Sequence, residues 1–278
     1  TFKITDGAIY SLIDFYTREA GVRRLERTIA ALCRKSAKLI AEGSEKRVTV
    51  NAETVEKMLG HKRYKPEQIL SRDEVGIING LAWTSVGGEI MQLEVAVMEG
   101  TGKIELTGSL GDVMKESAMA AVSYVRSNAE RFNIDPEFYK KLDIHIHATE
   151  AAVPKDGPSA GVTITTGLVS ALTCRAVKRD VAMTGEVTVR GRVLPIGGLR
   201  EKSMAAYTGG VKTVFIPADN VADLEDVDDI VKQNVSFIPV SFVDEIIEKA
   251  LDAKKESAAL NGVYSIAVST DKHERISQ

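Results

Sequence analysis

The hydrophobic period first changes from helical to strand-like at Gly76, after a polar linker, and this divides the chain into two modules of different class. Before that point apolar residues recur every three or four positions. Ile9, Leu12, Ile13 and Tyr16 share one helical face behind a Thr5/Asp6 capping signal. Val22, Leu25, Ile29, Leu32 and Leu39 stripe a second, longer helix, with Gly21 before it and Gly43 after it. A short strand-like Arg47-Val-Thr-Val follows, and Asn51 caps a last helix that Gly60 ends. This is a thin core, suited to an appendage of another domain. Residues 61–73, polar and marked by Pro66, read as a linker.

From Gly76 the pattern alternates. Residues 80–88, 89–98 and 103–107 read as strands, with Gly100-Thr-Gly102 as the hairpin turn between the last two. Helices are expected over 112–132, 159–173, 199–207 and 243–251, and strands over 143–148, 180–187, 192–194 and 211–216. Strands and helices mix without a strict alternating rhythm, which predicts an α+β domain with a partly parallel sheet. From Asp252 the chain turns polar and irregular, and 252–278 reads as a tail.

Charge follows the same division. Residues 1–65 carry 14 Lys/Arg against 8 Asp/Glu, and the remainder is acidic enough to bring the whole to −3. A basic first module could touch nucleic acid or phosphates, but no basic run is interleaved with aromatics, so a solvated helical surface is the simpler reading. No apolar run approaches the roughly 18–20 residues a membrane span needs, so no membrane segment is expected. Cys33 and Cys174 stand far apart and are expected to be small buried thiols, with no disulfide or zinc site. Thr1 in place of Met suggests a piece of a longer protein. The acidic 219–229 stretch lacks metal-loop spacing and reads as the start of a solvated helix.

The segment Pro154-Lys-Asp-Gly-Pro-Ser-Ala-Gly161 is the most unusual in the chain. Two prolines, two glycines and a serine run directly into small and β-branched residues. Pro158 preorganises a first helical turn and Gly157 permits close backbone approach. Ser159 would then stand at a helix N-terminus, where unpaired N–H groups and the dipole favour negative charge, as a tetrahedral oxyanion requires. A simple helix cap is the bland alternative.

Gly157-x-Ser159-x-Gly161 also matches the nucleophile elbow of α/β hydrolases, in which the order is serine, acid, histidine. The chain has four histidines, and the sole one after Ser159 is His273, in the polar tail. His145 and His147 share one face of a strand but lack a third ligand, so polar packing is expected of them. The proton acceptor is then a carboxylate or a lysine. A lysine base must be desolvated, because its amine normally titrates near pH ~10.4, and lowering that to about 7 costs about 4.6 kcal/mol. Lys155 is expected to be too exposed and too close in sequence. Lys202 lies in the first turns of a helix after a Gly-Gly bend, and Lys212 opens an apolar strand. Residue chemistry alone leaves these two.

Three segments in order (Pro154–Gly161, Asp180-Val-Ala-Met-Thr-Gly-Glu186 and Val193-Leu-Pro-Ile-Gly-Gly-Leu-Arg-Glu-Lys202) resemble the peptidase motifs of the A-type Lon ATP-dependent proteases. Thr17-Arg-Glu-Ala-Gly-Val-Arg-Arg-Leu-Glu-Arg27 resembles the small helical part of their AAA+ module. The likeness covers about residues 4–250. It implies a small AAA+ subdomain over 1–65 and a mixed-sheet Ser–Lys peptidase domain over 66–251.

By that resemblance Ser159 is the nucleophile and Lys202 its general base. Thr184 orients the lysine amine, Asp156 sets the state of the nucleophile loop, Trp83 lines the substrate groove and Arg23 is a sensor of nucleotide bound elsewhere. The resemblance further implies a cytoplasmic bacterial homohexamer acting on unfolded proteins. It implies ATP and Mg in the full-length protein, but no cofactor in this chain, which has no Gly-x-x-x-x-Gly-Lys-[Ser/Thr] loop.

A scaffold role without catalysis is the rival reading, and retention of both Ser159 and Lys202 argues against it. The chain departs from the family pattern at Thr149-Glu-Ala151, where Pro-Glu-Gly is usual, which would alter loop closure. Ser203-Met204 replaces two large apolar residues, and Ser203 would weaken desolvation of the amine.

Overall fold

The computed structural model describes residues 2–19, 21–64, 69–149 and 155–255. The chain separates into two compact units, Thr1–Glu67 with Thr84–Gly87, and Gln68–Trp83 with Gly88–Gln278.

In the first unit the strand β1 (Phe2–Ile4) precedes α1 (Asp6–Tyr16), α2 (Arg23–Ala41), β2 (Val48–Val50) and α3 (Ala52–Leu59). The Thr5 hydroxyl accepts from Ala8 N at 3.2 Å and Asn51 Oδ1 from Thr54 N at 2.9 Å, so both expected caps are formed. The buried face of α1 is Ala8, Leu12 and Tyr16, whereas Ile13 is exposed. The helix ends at Tyr16 because Thr17 is already extended, four residues before Gly21. The side chain of Glu19 then accepts from Arg24 N and Leu25 N and caps α2. The core is completed by Leu32, Val48, Val50 and Val55; β2 is the expected strand after Arg47, and it pairs in parallel with β1, which was not expected.

The second unit is built on a sheet of β3 (Ile77–Thr84), β4 (Gly87–Glu99), β5 (Ile104–Thr107), β6 (Leu142–Ala148), β8 (Val181–Met183), β11 (Thr213–Pro217) and β12 (Ser236–Val240). Their order across the sheet is β12-β11-β8-β3-β4-β6-β5. Strands β3, β8, β11 and β12 run parallel, and β6 is antiparallel to β4. The helices are α4 (Asp112–Ser127), α5 (Phe138–Lys141), α6 (Gly161–Thr173), α7 (Leu199–Gly209), α8 (Asp229–Asn234) and α9 (Val243–Ala250). Two short ribbons pair β9 (Glu186–Val187) with β10 (Val193–Leu194), and β7 (Arg175–Val177) with β13 (Leu251–Lys255). Strand pairing thus continues past Asp252, where the polar tail was expected to begin, and 256–278 lie outside the described residues.

The sheet is covered on both faces, as the two-residue strand period demands. Met183 and Phe215 belong to the core under α4, α6 and α9, while their neighbours Ala182, Val214 and Ile216 belong to the core under α7 and α8. Helix α6 is buried along its length, so its hydroxyls can bond only to protein groups, and among the described residues all but Thr163 Oγ1 do so. Thr165, Thr166 and Thr173 donate to the carbonyls of Gly161, Val162 and Val169, four residues back, at 2.8, 2.8 and 2.6 Å.

Several expectations are corrected. β4 and β5 do not form a hairpin, because β6 inserts between them and pairs with both. The Gly100–Lys103 segment instead folds round the Asp143 carboxylate, which accepts from the main-chain N–H groups of Thr101, Gly102 and Lys103 at 2.7–2.9 Å. Those bonds hold Asp143 below the usual carboxylate range. Cys33 is exposed, not buried, and Cys174 is half-buried in a left-handed cap of α6. The acidic stretch forms 3₁₀ turns at Ala218–Asn220 and Ala222–Asp226 before α8 begins. Among the described residues no helix is long and apolar enough to cross a membrane.

Candidate active site

The segment that carries Ser159 makes a 3₁₀ turn, Pro158–Ala160, that leads into α6. Before it, Gly157 has φ 149°, a conformation open to glycine and strained for any side chain. The segment is tied to α4 and the turn before it. Asp156 Oδ1 accepts from Met114 N at 3.2 Å, Ser117 Oγ donates to Pro158 O at 3.1 Å, and Gly111 N donates to Lys155 O at 2.7 Å. Asp156 therefore caps a helix that begins more than forty residues earlier, and its charge faces that helix's positive end. On the far side, Gly185 N donates to Ser159 O at 2.9 Å, which links the serine to the end of β8.

Thr184 follows β8 directly and is fully buried. Lys202 stands on α7, which packs on the opposite face of the sheet from α6. The two helices start near one another where the parallel strands end, the usual place for a site in a sheet of this kind. There Lys202 Nζ donates to Thr184 Oγ1 at 3.0 Å and to Ser159 Oγ at 3.2 Å. Lys202 is 1% exposed, and burial away from water lowers its pKa from 10.5 to about 8. The amine is thus mostly charged at pH 7 but neutral in about a tenth of molecules, several hundred times the share of an exposed lysine.

Ser203 does not solvate that amine. Its hydroxyl is buried and donates to Leu199 O at 2.6 Å within α7, so its polarity is satisfied inside the helix. Lys212 is exposed and precedes β11, at the end of the sheet away from Thr184, so its amine is remote from Ser159. Lys155 is buried, contrary to the expectation of exposure, because it bridges to Leu110 beside the start of α4.

A groove of ≈ 460 Å³ opens over the serine and lysine, with Trp83, Asp156, Pro158, Ile196 and Gly197 in its walls. Trp83 is 58% exposed there. His145 and His147 lie elsewhere, both bonded to Thr107 Oγ1 at 2.8 and 2.7 Å, as polar packing would have them. Among the described residues no group of three His, Cys, Asp or Glu side chains could hold a metal ion. Arg23 belongs to the first unit, where it is the exposed first residue of α2. Of the expected site residues, the structure brings together Ser159, Lys202 and Thr184, with Asp156 and Trp83 on the groove. Ala151 lies outside the described residues.

Residues 49–253 match the Lon protease (S16) C-terminal proteolytic domain, and residues 1–48 match the Lon protease AAA+ ATPase lid domain. The chain belongs to the Lon protease family. Its proteolytic match marks a serine endopeptidase domain. It is 53% identical to a Lon protease of Brevibacillus choshinensis over 90% of this chain and 32% of the relative. It is 52% identical to Lon protease 1 of Bacillus subtilis over 91% and 33%, and 55% identical to a Lon protease of Finegoldia magna over 90% and 32%. The chain spans about a third of the length of these relatives.

Sequence reading passed over Ser117 and Asn220, which hold the two sides of the groove. Ser117 sits in an ordinary helical pattern, and nothing local marks its partner. Asn220, directly after an apolar strand in Pro217-Ala-Asp-Asn, could have been flagged as a polar residue at a strand's carboxyl end.

Proposed function

We propose that this chain hydrolyses peptide bonds with Ser159 as nucleophile and Lys202 as general base, and that it is the proteolytic part of an ATP-dependent Lon protease. The observation that supports this most is the buried Lys202 amine at 3.2 Å from Ser159 Oγ, with its pKa lowered to about 8. In this reading the neutral amine takes the hydroxyl proton as Oγ bonds to the substrate carbonyl carbon. The oxyanion lies against the main-chain N–H groups of Ser159 and Ala160, since Pro158 has none to offer. The resulting ammonium stays bonded to Thr184 Oγ1 and gives its proton to the leaving amine as the C–N bond breaks. Water, deprotonated by the same amine, then releases the acyl group.

Every proton in this scheme moves between substrate, water and the chain's own groups, and no cofactor enters. Residues 1–65 would be the AAA+ small subdomain and the remainder through β13 the peptidase domain. The longer protein would work in the bacterial cytoplasm as a homohexamer on unfolded chains, with ATP and Mg²⁺ serving its motor. Arg23 fits a contact to nucleotide phosphate, since it is exposed and has no polar partner among the described residues.

The test is cleavage of an unstructured polypeptide by this chain without ATP. Ser159→Ala and Lys202→Ala are each expected to abolish it. Cleavage that persists in Ser159→Ala would refute the assignment, and a native chain that neither cleaves nor reacts with a serine-directed phosphonate would be a scaffold.

A further inference from the structure

Beside Trp83, whose ring lies against Gly198, the groove is walled by the Pro195-Ile196-Gly197 segment between β10 and α7. Among the described residues no strand pairs with it. Asn220 supplies the pairing instead. Its Oδ1 accepts from Ile196 N at 2.9 Å and its Nδ2 donates to Ile196 O at 2.9 Å, so one side-chain amide takes both main-chain groups of one residue. Asn220 is 4% exposed and stands on the 3₁₀ turn directly after β11. A primary amide of this kind matches a peptide group as another strand would, with one donor and one acceptor side by side. Its orientation is fixed as well: Asp223 Oδ2, which can only accept, takes the second hydrogen of Nδ2 at 2.5 Å.

We propose that Asn220 is a positioning residue for substrate, a side-chain clamp that holds the groove wall in register with Ser159. The inference rests on the Ser159–Lys202 reading and extends it. With both polar groups of Ile196 taken, Gly197, which is all main chain, is left as the neighbouring residue of the wall free to pair with a bound peptide. Two residues on, Gly198 O accepts from Lys202 N at 3.0 Å, so the clamped segment leads straight into the helix turn that carries the lysine. The amine itself is held separately, by Thr184 and Ser159. Loss of the clamp therefore loosens peptide binding and leaves the proton transfer intact.

The experiment compares Asn220→Ala and Asp223→Ala with the native chain in two assays: cleavage of a fluorogenic peptide, and labelling of Ser159 by a small fluorophosphonate too short to pair with the 195–197 wall. Asn220→Ala is expected to raise KM about five- to tenfold, the effect of losing buried hydrogen bonds, with kcat and the labelling rate within about twofold of native. Asp223 is exposed and touches Asn220 but not Ile196, so Asp223→Ala preserves the fold. It should raise KM about two- to threefold, because the amide is then free to flip. Native KM in both variants, or a labelling rate that falls in parallel with kcat/KM, would overturn the proposal. If Asn220→Ala does not fold, Asp223→Ala decides alone on the same criterion. Failure of the native chain to be labelled would refute the underlying dyad instead, so the two outcomes are distinct.

Discussion

Replacing Lys202 by Met should abolish activity and stabilise the fold at pH 7. The buried amine has a pKa of about 8 against 10.5 when exposed, and that difference corresponds to about 3 kcal/mol of preference for the neutral form. The sign follows from proton counting. Between pH 8 and 10.5 the unfolded chain binds the proton and the folded chain does not, so stability rises with pH through that window. Below about pH 8 both states are charged and the folded state carries the whole desolvation cost. Met fills a similar volume without a charge, so that cost disappears. Against it stand two hydrogen bonds, to Thr184 Oγ1 and Ser159 Oγ, worth about 1 kcal/mol each when a buried partner is left unpaired. The net expectation at pH 7 is a gain of about 1–2 kcal/mol, shrinking and reversing by pH 10.5. Urea unfolding of both chains at pH 7 and pH 10, followed by circular dichroism, measures it. A Lys202→Met chain less stable than native at pH 7, by an amount that does not change with pH, would refute the buried neutral amine.

Gly88→Ala should destabilise the domain by about 2 kcal/mol or more, since a Cβ there would lie 2.0 Å from Glu201 O and 3.0 Å from Lys202 N; phosphonate labelling of Ser159 should slow as α7 shifts, and a native melting temperature would count against that contact. Asp156→Ala should cost about 1 kcal/mol as the cap of α4 is lost, and amide exchange over 155–160 should quicken, whereas Asp156→Asn, which retains an acceptor, should fall between the two.

Much of the site was legible in the sequence because its signals are local. Proline, glycine and serine crowd into residues 154–161, and a Gly-Gly bend precedes Lys202. The choice of Lys202 over Lys212 was not legible from residue chemistry, because it depends on which end of β8 and β11 faces Ser159. Strand register across the sheet settles that, and register is a non-local property. The misread hairpin at Gly100–Gly102 has the same cause: β6, forty residues later, enters between β4 and β5, and Asp143 comes with it to bind the turn. Lys155 was misjudged because a lysine between prolines and glycines looks solvated until its bridge to Leu110 is known. Asn220 was passed over since its partner, Ile196, is remote in sequence and bonds through main chain alone. In the first unit, helical periodicity located α1 but misjudged its buried face by one residue, since Ala8 contributes little to an apolar stripe while being small enough to pack closely.

The most direct test is the pH dependence of Ser159 phosphonylation in the native chain and in Lys202→Met. A neutral lysine base predicts a labelling rate that rises with pH to a plateau, with its midpoint near pH 8, and a rate lower by about 100-fold or more and flat in Lys202→Met. A native rate that is independent of pH between 6 and 10, or one that Lys202→Met leaves unchanged, would contradict it.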